Sequence, residues 1–194
     1  MTANSDFWRG KRVFLTGHTG FKGSWLSLWL QNLGAQVHGL ALESPTTPNL
    51  FTVAQVEAGM ASHTIGDIRD LAVVQKTMQT AQPDIVIHMA AQPLVRLSYA
   101  EPVETYATNV MGTVHVLESA RSTPSVKAIV VVTTDKNLRY QQSLEGRRIA
   151  VVILGKQQWP DVRPCIERVV EAVNSVVAGG FTEVDIPFSR PLRR

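Results

Sequence analysis

Three glycines spaced three apart, Gly17, Gly20 and Gly23, follow directly on the apolar run Val13-Phe14-Leu15-Thr16 and open into a helical pattern from Ser24 to Leu33. Strand, tight glycine turn and helix in that order can hold a diphosphate. Glycine lets the backbone turn sharply and approach the phosphates, whose charge meets the free N–H groups of the helix N-terminus. Ordinary turn glycines are the plain alternative, and the flanking strand and helix argue against it. A second cluster, Thr133-Thr134-Asp135-Lys136, closes the most strand-like stretch of the chain. A hydroxyl and a carboxylate at the C-terminal end of a strand can bind a substrate hydroxyl and move a proton. The same residues would also cap a turn.

The elements that must position these groups follow from hydrophobic periodicity. Strands are predicted at Lys11–Thr16, Gln36–Leu42, His63–Gly66, Asp84–Met89 and Val126–Thr133, and their apolar runs are continuous rather than alternating. Helices are predicted over Phe21–Leu33, with Trp25, Leu26, Leu28, Trp29, Leu30 and Leu33 inward and Gly34 as the stop, over Leu50–Glu57 capped by Asn49, over Asp70–Thr80, and from about Pro102 to Arg121. Ser44–Pro48 and Gln92–Leu97 read as loops. Such alternation indicates an α/β fold, a doubly wound parallel sheet of Rossmann type. Beyond Lys136 come a polar stretch (Asn137–Gly146), a strand (Arg148–Leu154), an amphipathic helix (Asp161–Ala178) and a last strand (Phe181–Ile186) carrying Glu183 and Asp185 as exposed positions. The expected division is 1–136 as the nucleotide-binding domain and 137–194 as a short α/β continuation.

Composition narrows the class. With 194 residues, 44% hydrophobic and 18% charged, the chain is an ordinary globular protein. No run approaches the ~18 apolar residues of a membrane span. The first six residues lack a basic and an apolar region, so no secretory signal is read there. Cys165 stands alone, which excludes an internal disulfide and fits a reducing cytoplasm. The net charge of +3 sits mainly in the C-terminal part, ending in Arg190, Arg193 and Arg194, and is too small to argue nucleic-acid binding. Homo-oligomerisation stays open.

Four motifs carry a resemblance: Thr16-Gly17-His18-Thr19-Gly20-Phe21-Lys22-Gly23-Ser24-Trp25-Leu26, Gly66-Asp67-Ile68-Arg69-Asp70, His88-Met89-Ala90-Ala91-Gln92-Pro93-Leu94-Val95-Arg96-Leu97-Ser98-Tyr99, and Thr108-Asn109-Val110-Met111-Gly112-Thr113. Over about residues 7–136 the chain resembles the extended short-chain dehydrogenase/reductases, and among them the CDP-glucose 4,6-dehydratases. The resemblance implies a lyase acting on a nucleotide sugar, CDP-glucose, with a tightly bound NAD. Such enzymes oxidise C4 of the glucose, eliminate water across C5–C6 and return the hydride to C6. It further implies cofactor contacts from Gly17, Thr19, Gly20, Phe21, Gly23, Glu43, Asp67, Ile68, Ala90, Ala91, Gln92 and Asn109. Asp67 also fits a helix cap, and Ala90 and Ala91 also fit helix packing. The ribose acid is expected about twenty residues past the glycine loop. The aligned place is near Ala41, so Glu43 either binds the ribose diol or is a surface residue. NAD over NADP rests on the resemblance. His88 reads as a core histidine and His18 as a loop residue.

In the same resemblance Thr134 would hydrogen-bond the sugar C4 hydroxyl, Asp135 would be the general acid and Lys136 would match the third residue of that turn. The superfamily's Tyr-x-x-x-Lys, expected some 20–30 residues later, does not occur: Leu144 stands four residues after Tyr140, the last tyrosine. The sugar-binding subdomain is likewise not recognisable. Little or no dehydratase activity is expected of the chain alone. Residues 133–187 instead resemble the C-terminal half of PIN-like toxin nucleases, through Thr133–Gln142, Gly146–Val152, Trp159-Pro160 and the final helix. That implies a join at the shared Thr-Thr-Asp-Lys turn and, as the alternative function, an RNA-directed or non-catalytic interaction module. Asp135 would be one Mg²⁺ carboxylate, and one does not make a two-metal site.

Overall fold

A computed structural model describes residues 5–134 and 148–154; for Ser5, Thr133, Thr134 and 148–154 the backbone alone is described. Six parallel strands form one sheet: β1 (Arg12–Thr16), β2 (Gln36–Ala41), β3 (Ser62–Ile65), β4 (Ile85–His88), β5 (Ala128–Thr134) and β6 (Arg148–Leu154). Their spatial order is β3-β2-β1-β4-β5-β6. The helices are α1 (Ser5–Trp8), α2 (Phe21–Asn32), α3 (Leu50–Val53), α4 (Leu71–Ala81), α5 (Val95–Ala100), α6 (Pro102–Tyr106) and α7 (Gly112–Arg121), with a π turn at Ala107–Met111 joining α6 to α7. The doubly wound parallel sheet is as expected, and β6 pairs with β5 from Ala128↔Arg148 to Thr134↔Leu154.

Alternation along each strand divides the apolar side chains between two cores. Val13, Leu15, Ile85, Ile87, Ala128 and Val130 pack on one face with Leu26 and Leu30 of α2 and Trp8 of α1. Phe14, Val86 and Ile129 point to the other face, against Val74 and Met78 of α4 and Val116 and Ala120 of α7. Each fully buried large side chain contributes about 1.5–3 kcal/mol by removal from water. Both faces are covered, so the strands read as unbroken apolar runs.

Several local expectations are refined. Asn49 does cap a helix, accepting from Thr52 N at 2.9 Å, but α3 ends at Val53 and a 3₁₀ turn occupies Val56–Gly59. Asp70 caps α4 through the N–H groups of Ala72 and Val73. The stretch predicted as a loop at 92–97 enters α5 at Val95. On α2 the inward residues are Gly23, Ser24, Leu26, Ser27 and Leu30, while Trp25 is exposed. Small side chains allow that helix to close onto the strand ends, and the bulky indole is turned outward.

Asp84 anchors the N-terminal ends of three strands. Its carboxylate accepts from Arg12 N (3.1 Å), Nε (3.3 Å) and Nη2 (3.4 Å), and Lys127 Nζ lies 3.8 Å away. Burial raises its pKa, but the hydrogen bonds and charge of Arg12, with help from Lys127, hold it below the ordinary carboxylate value. Replacing Asp84 by Ala is expected to cost about 1–3 kcal/mol in urea unfolding, because the Arg12 N–H loses its acceptor. Lys127→Ala, at an exposed ammonium, is expected to change stability by under ~1 kcal/mol.

Candidate functional site

In an open parallel sheet, loops at the C-terminal strand ends meet where the winding reverses. Here that point lies between β1 and β4, since the chain proceeds from β1 toward β2 and β3 and then returns to β4 on the other side. The glycine loop from β1 and the Met89–Leu94 loop from β4 close on each other there. Gly17 takes φ +78°, and a Cβ on it would lie 2.9 Å from Ala90 N. A Cβ on Gly23 would lie 2.0 Å from Gly17 O, so the first turn of α2 packs directly on the loop backbone. At Gly20 an added Cβ would meet only Gly17 O, at 3.4 Å. This position is open to an approaching group, as a phosphate cradle at the head of the twelve-residue α2 requires. The loop fits the diphosphate of a dinucleotide.

Thr16 and His88 set the relation between the two loops. Thr16 Oγ1 accepts from Met89 N and Ala90 N, each at 3.1 Å, and lies 2.7 Å from His88 Nδ1. On the other side of the ring, His88 Nε2 is 3.0 Å from Thr113 Oγ1, whose proton goes to Asn109 O at 2.8 Å. Thr113 therefore accepts from Nε2–H, leaving Nδ1 to accept from Thr16. One neutral tautomer satisfies the whole series. Burial lowers the His88 pKa to about 4, in keeping with the core histidine read from the sequence.

The remaining expected residues surround the same edge. Asp67 forms a turn, accepting from Arg69 N and Nε, each at 2.8 Å; the hydrogen bonds from Arg69 hold its carboxyl below the ordinary value. Arg69 also pairs with Glu104 of α6. Ile68 is buried, and its carbonyl accepts from His115 Nδ1 at 3.0 Å. Asn109, in the π turn, spends its amide on the Gln92 backbone: Oδ1 accepts from Gln92 N at 2.7 Å and Nδ2 donates to Gln92 O at 3.0 Å. Ala90 is partly buried, Ala91 exposed, and Phe21 stands 61% exposed at the head of α2. Thr19 and Glu43 lie beside each other's segments, at the glycine loop and just past β2. Thr134 ends β5; its side chain, together with Asp135 and Lys136, lies outside the described residues, as do the helix and last strand expected at 161–186.

Sequence reasoning missed four groups. Thr16 and Thr113 lie inside quoted motifs, but their hydroxyl roles depend on a histidine 72 and 25 residues away. His115 gives no sequence signal. His18 is more than a loop residue: it is wholly buried, with Nε2 2.6 Å from His63 Nδ1 and Phe51 packed on its ring. Burial, and then the neighbouring His63, lowers its pKa to about 4.

Comparison with known proteins places these features in a family. A model described as GDP-mannose 4,6 dehydratase matches residues 14–137. CDP-glucose 4,6-dehydratase of Salmonella typhimurium is 50% identical over 169 residues, 87% of this chain and 47% of the relative. The aligned stretch thus runs beyond residue 136, and the join drawn there from the PIN-like resemblance finds no support in it. A GDP-mannose 4,6-dehydratase of Yersinia enterocolitica is 31% identical over 57% of this chain and 31% of its own length. The chain spans about half or less of these relatives. Among solved structures, the epimerase Mth375 of Methanothermobacter thermautotrophicus superposes with a TM-score of 0.57 at 27% identity, over 68% of this chain and 37% of that one. The Bordetella bronchiseptica enzyme WbmH, solved with NAD+, gives 0.60 at 18% identity over 86% and 73%, a likeness of fold. No helix among the described residues is long and apolar enough to cross a membrane.

Proposed function

The chain belongs to the GDP-mannose 4,6 dehydratase family, and from that premise we propose that it is the NAD-binding portion of a nucleotide-sugar dehydratase whose substrate is CDP-glucose. The observation that carries this reading is the closure of the glycine loop on the β4 loop, with Gly17 against Ala90 and the open Gly20 at the head of α2. The 50% identity with the Salmonella CDP-glucose 4,6-dehydratase supports the sugar.

Bound NAD would supply a hydride acceptor for sugar oxidation and return the hydride later. The chain's own groups bind and orient. Gly17, Gly20, Gly23 and the first turn of α2 receive the diphosphate. By the resemblance, Asp67 and Ile68 would contact the adenine, and Glu43 beyond β2 would accept from the ribose diol. Thr16, His88, Thr113 and Asn109 hold the β4 loop in register. Thr134 would contact the sugar hydroxyl, with Asp135 as proton donor in the elimination and Lys136 beside it. No Tyr-x-x-x-Lys occurs among the 194 residues, so these residues by themselves lack the phenol–lysine pair that would take the C4 proton. The lone Cys165 fits a reducing cytoplasm.

Titration calorimetry of the purified chain with NAD should show one site of micromolar affinity or tighter. CDP-glucose added to the NAD-loaded chain should give no 4-keto sugar. The absence of NAD binding would defeat the reading, and turnover would show that the C4 proton can be taken without a Tyr-x-x-x-Lys pair.

A further inference from the structure

We propose that Thr19 and Ser44 are positioning residues: together they clasp the glycine loop to the end of β2 and so set the preference between NAD and NADP. This rests on the NAD-binding reading above. Three hydrogen bonds join residues 17–19 to residues 40–44. Gly17 N donates to Leu40 O at 3.0 Å, which is backbone alone and independent of side-chain identity. The other two need hydroxyls. Thr19 Oγ1 donates to Leu42 O at 2.7 Å, and Ser44 Oγ donates to Thr19 O at 2.9 Å.

Residue 43 sits between the two attachment points. Its neighbour on one side accepts from Thr19, and its neighbour on the other donates to Thr19, so the segment 42–44 and Thr19 form a closed ring of contacts. The Glu43 backbone cannot swing from the loop without breaking one of them. Ser44 also precedes Pro45, which biases it toward extended backbone and reduces its freedom further. Thr19 is buried at 7% exposure, and Glu43 is exposed. The result is an anchored backbone at residue 43, carrying an exposed Glu side chain, held next to Thr19 of the glycine loop.

That arrangement has a chemical consequence. A carboxylate accepts hydrogen bonds from a ribose diol and repels a 2′-phosphate in the same place. Both effects depend on where the carboxylate sits relative to the bound diphosphate. Loosening the clasp therefore weakens NAD binding and relieves the exclusion of NADP together. A residue that merely stabilised the fold would weaken both dinucleotides alike, and their affinity ratio would not move.

The test is calorimetric, with NAD and NADP each titrated into the full chain. Wild type should prefer NAD. Ser44→Ala should narrow the ratio about 3- to 10-fold, the range one net hydrogen bond allows, and Ser44→Thr should restore it. Thr19→Val should act in the same direction, but Thr19 is buried, so the Ser44 variants decide. Glu43→Gln should narrow the ratio at least as far. A ratio within twofold of wild type in Ser44→Ala, or in Glu43→Gln, overturns the clasp as a selectivity device. If wild type binds neither dinucleotide, the cofactor reading fails first, and that outcome is separate from an unmoved ratio.

Discussion

Gly23→Ala should reduce NAD affinity by at least about 100-fold and lower stability by about 1–3 kcal/mol. The added methyl would sit 2.0 Å from Gly17 O and 2.8 Å from His18 Cα. These are backbone atoms, so no side-chain rotation relieves the contact. Either α2 moves away from the sheet or the loop flattens. In both cases the N–H groups at the helix start leave the place where a diphosphate would meet them. Gly20→Ala is the control: the same methyl there meets only Gly17 O at 3.4 Å, so stability should hold while NAD affinity falls through the occupied cradle. Equal NAD affinities for wild type and Gly23→Ala would refute the cradle, and chemical unfolding of the three proteins measures the stability part.

The second large effect is acid sensitivity. His88 and His18 both have pKa values lowered to about 4, His88 by burial and His18 by burial and then by His63. In the unfolded chain each should titrate near 6.5. Between those values the unfolded state binds more protons, so stability is undiminished above about pH 6.5 and is lost progressively as pH falls toward 4. Each histidine contributes about 3 kcal/mol over that window. Two of them approach the ~5–15 kcal/mol of a whole domain. Urea midpoints should therefore fall steeply from pH 7 to pH 5, and a flat profile would show that neither ring is held neutral. The hydrogen bonding gives the physical reason for His88. A proton on Nδ1 would face Thr16 Oγ1, which already accepts two backbone N–H groups.

The individual strands and the glycine loop were legible because their patterns are local. Continuous apolar runs marked β1, β2, β4 and β5, and the spacing of Gly17, Gly20 and Gly23 marked the turn. Helix caps at Asn49 and Asp70 were legible for the same reason. The π turn at Ala107–Met111 was not, since one extra residue in a helix shifts its periodicity too little to separate from noise. Trp25 was assigned inward because hydrophobicity counts an indole as core, whereas the face of α2 that meets the sheet runs through Gly23, Ser24, Leu26, Ser27 and Leu30 and leaves Trp25 exposed. The His18–His63 contact joins residues 45 apart through a side-chain orientation that no pattern encodes. The pairing of the Asn109 amide with the Gln92 backbone joins residues 17 apart and likewise gives no local signal.

The place of β1 in the middle of the sheet bears on synthesis at the ribosome. Once made, β1 pairs with β2 on one edge, but its other edge waits for β4, and His88 is 72 residues beyond Thr16. At about 5–20 residues per second that interval is roughly 4–14 s. During it, the backbone groups along the β4-facing edge of Val13–Thr16 have no native partner, although α1, α2 and β2 already supply contacts to the side chains of β1. Nascent chains stalled between β3 and β4 should therefore be the ones that recruit chaperones or pair with one another, and release of the stall past residue 88 should end that vulnerability.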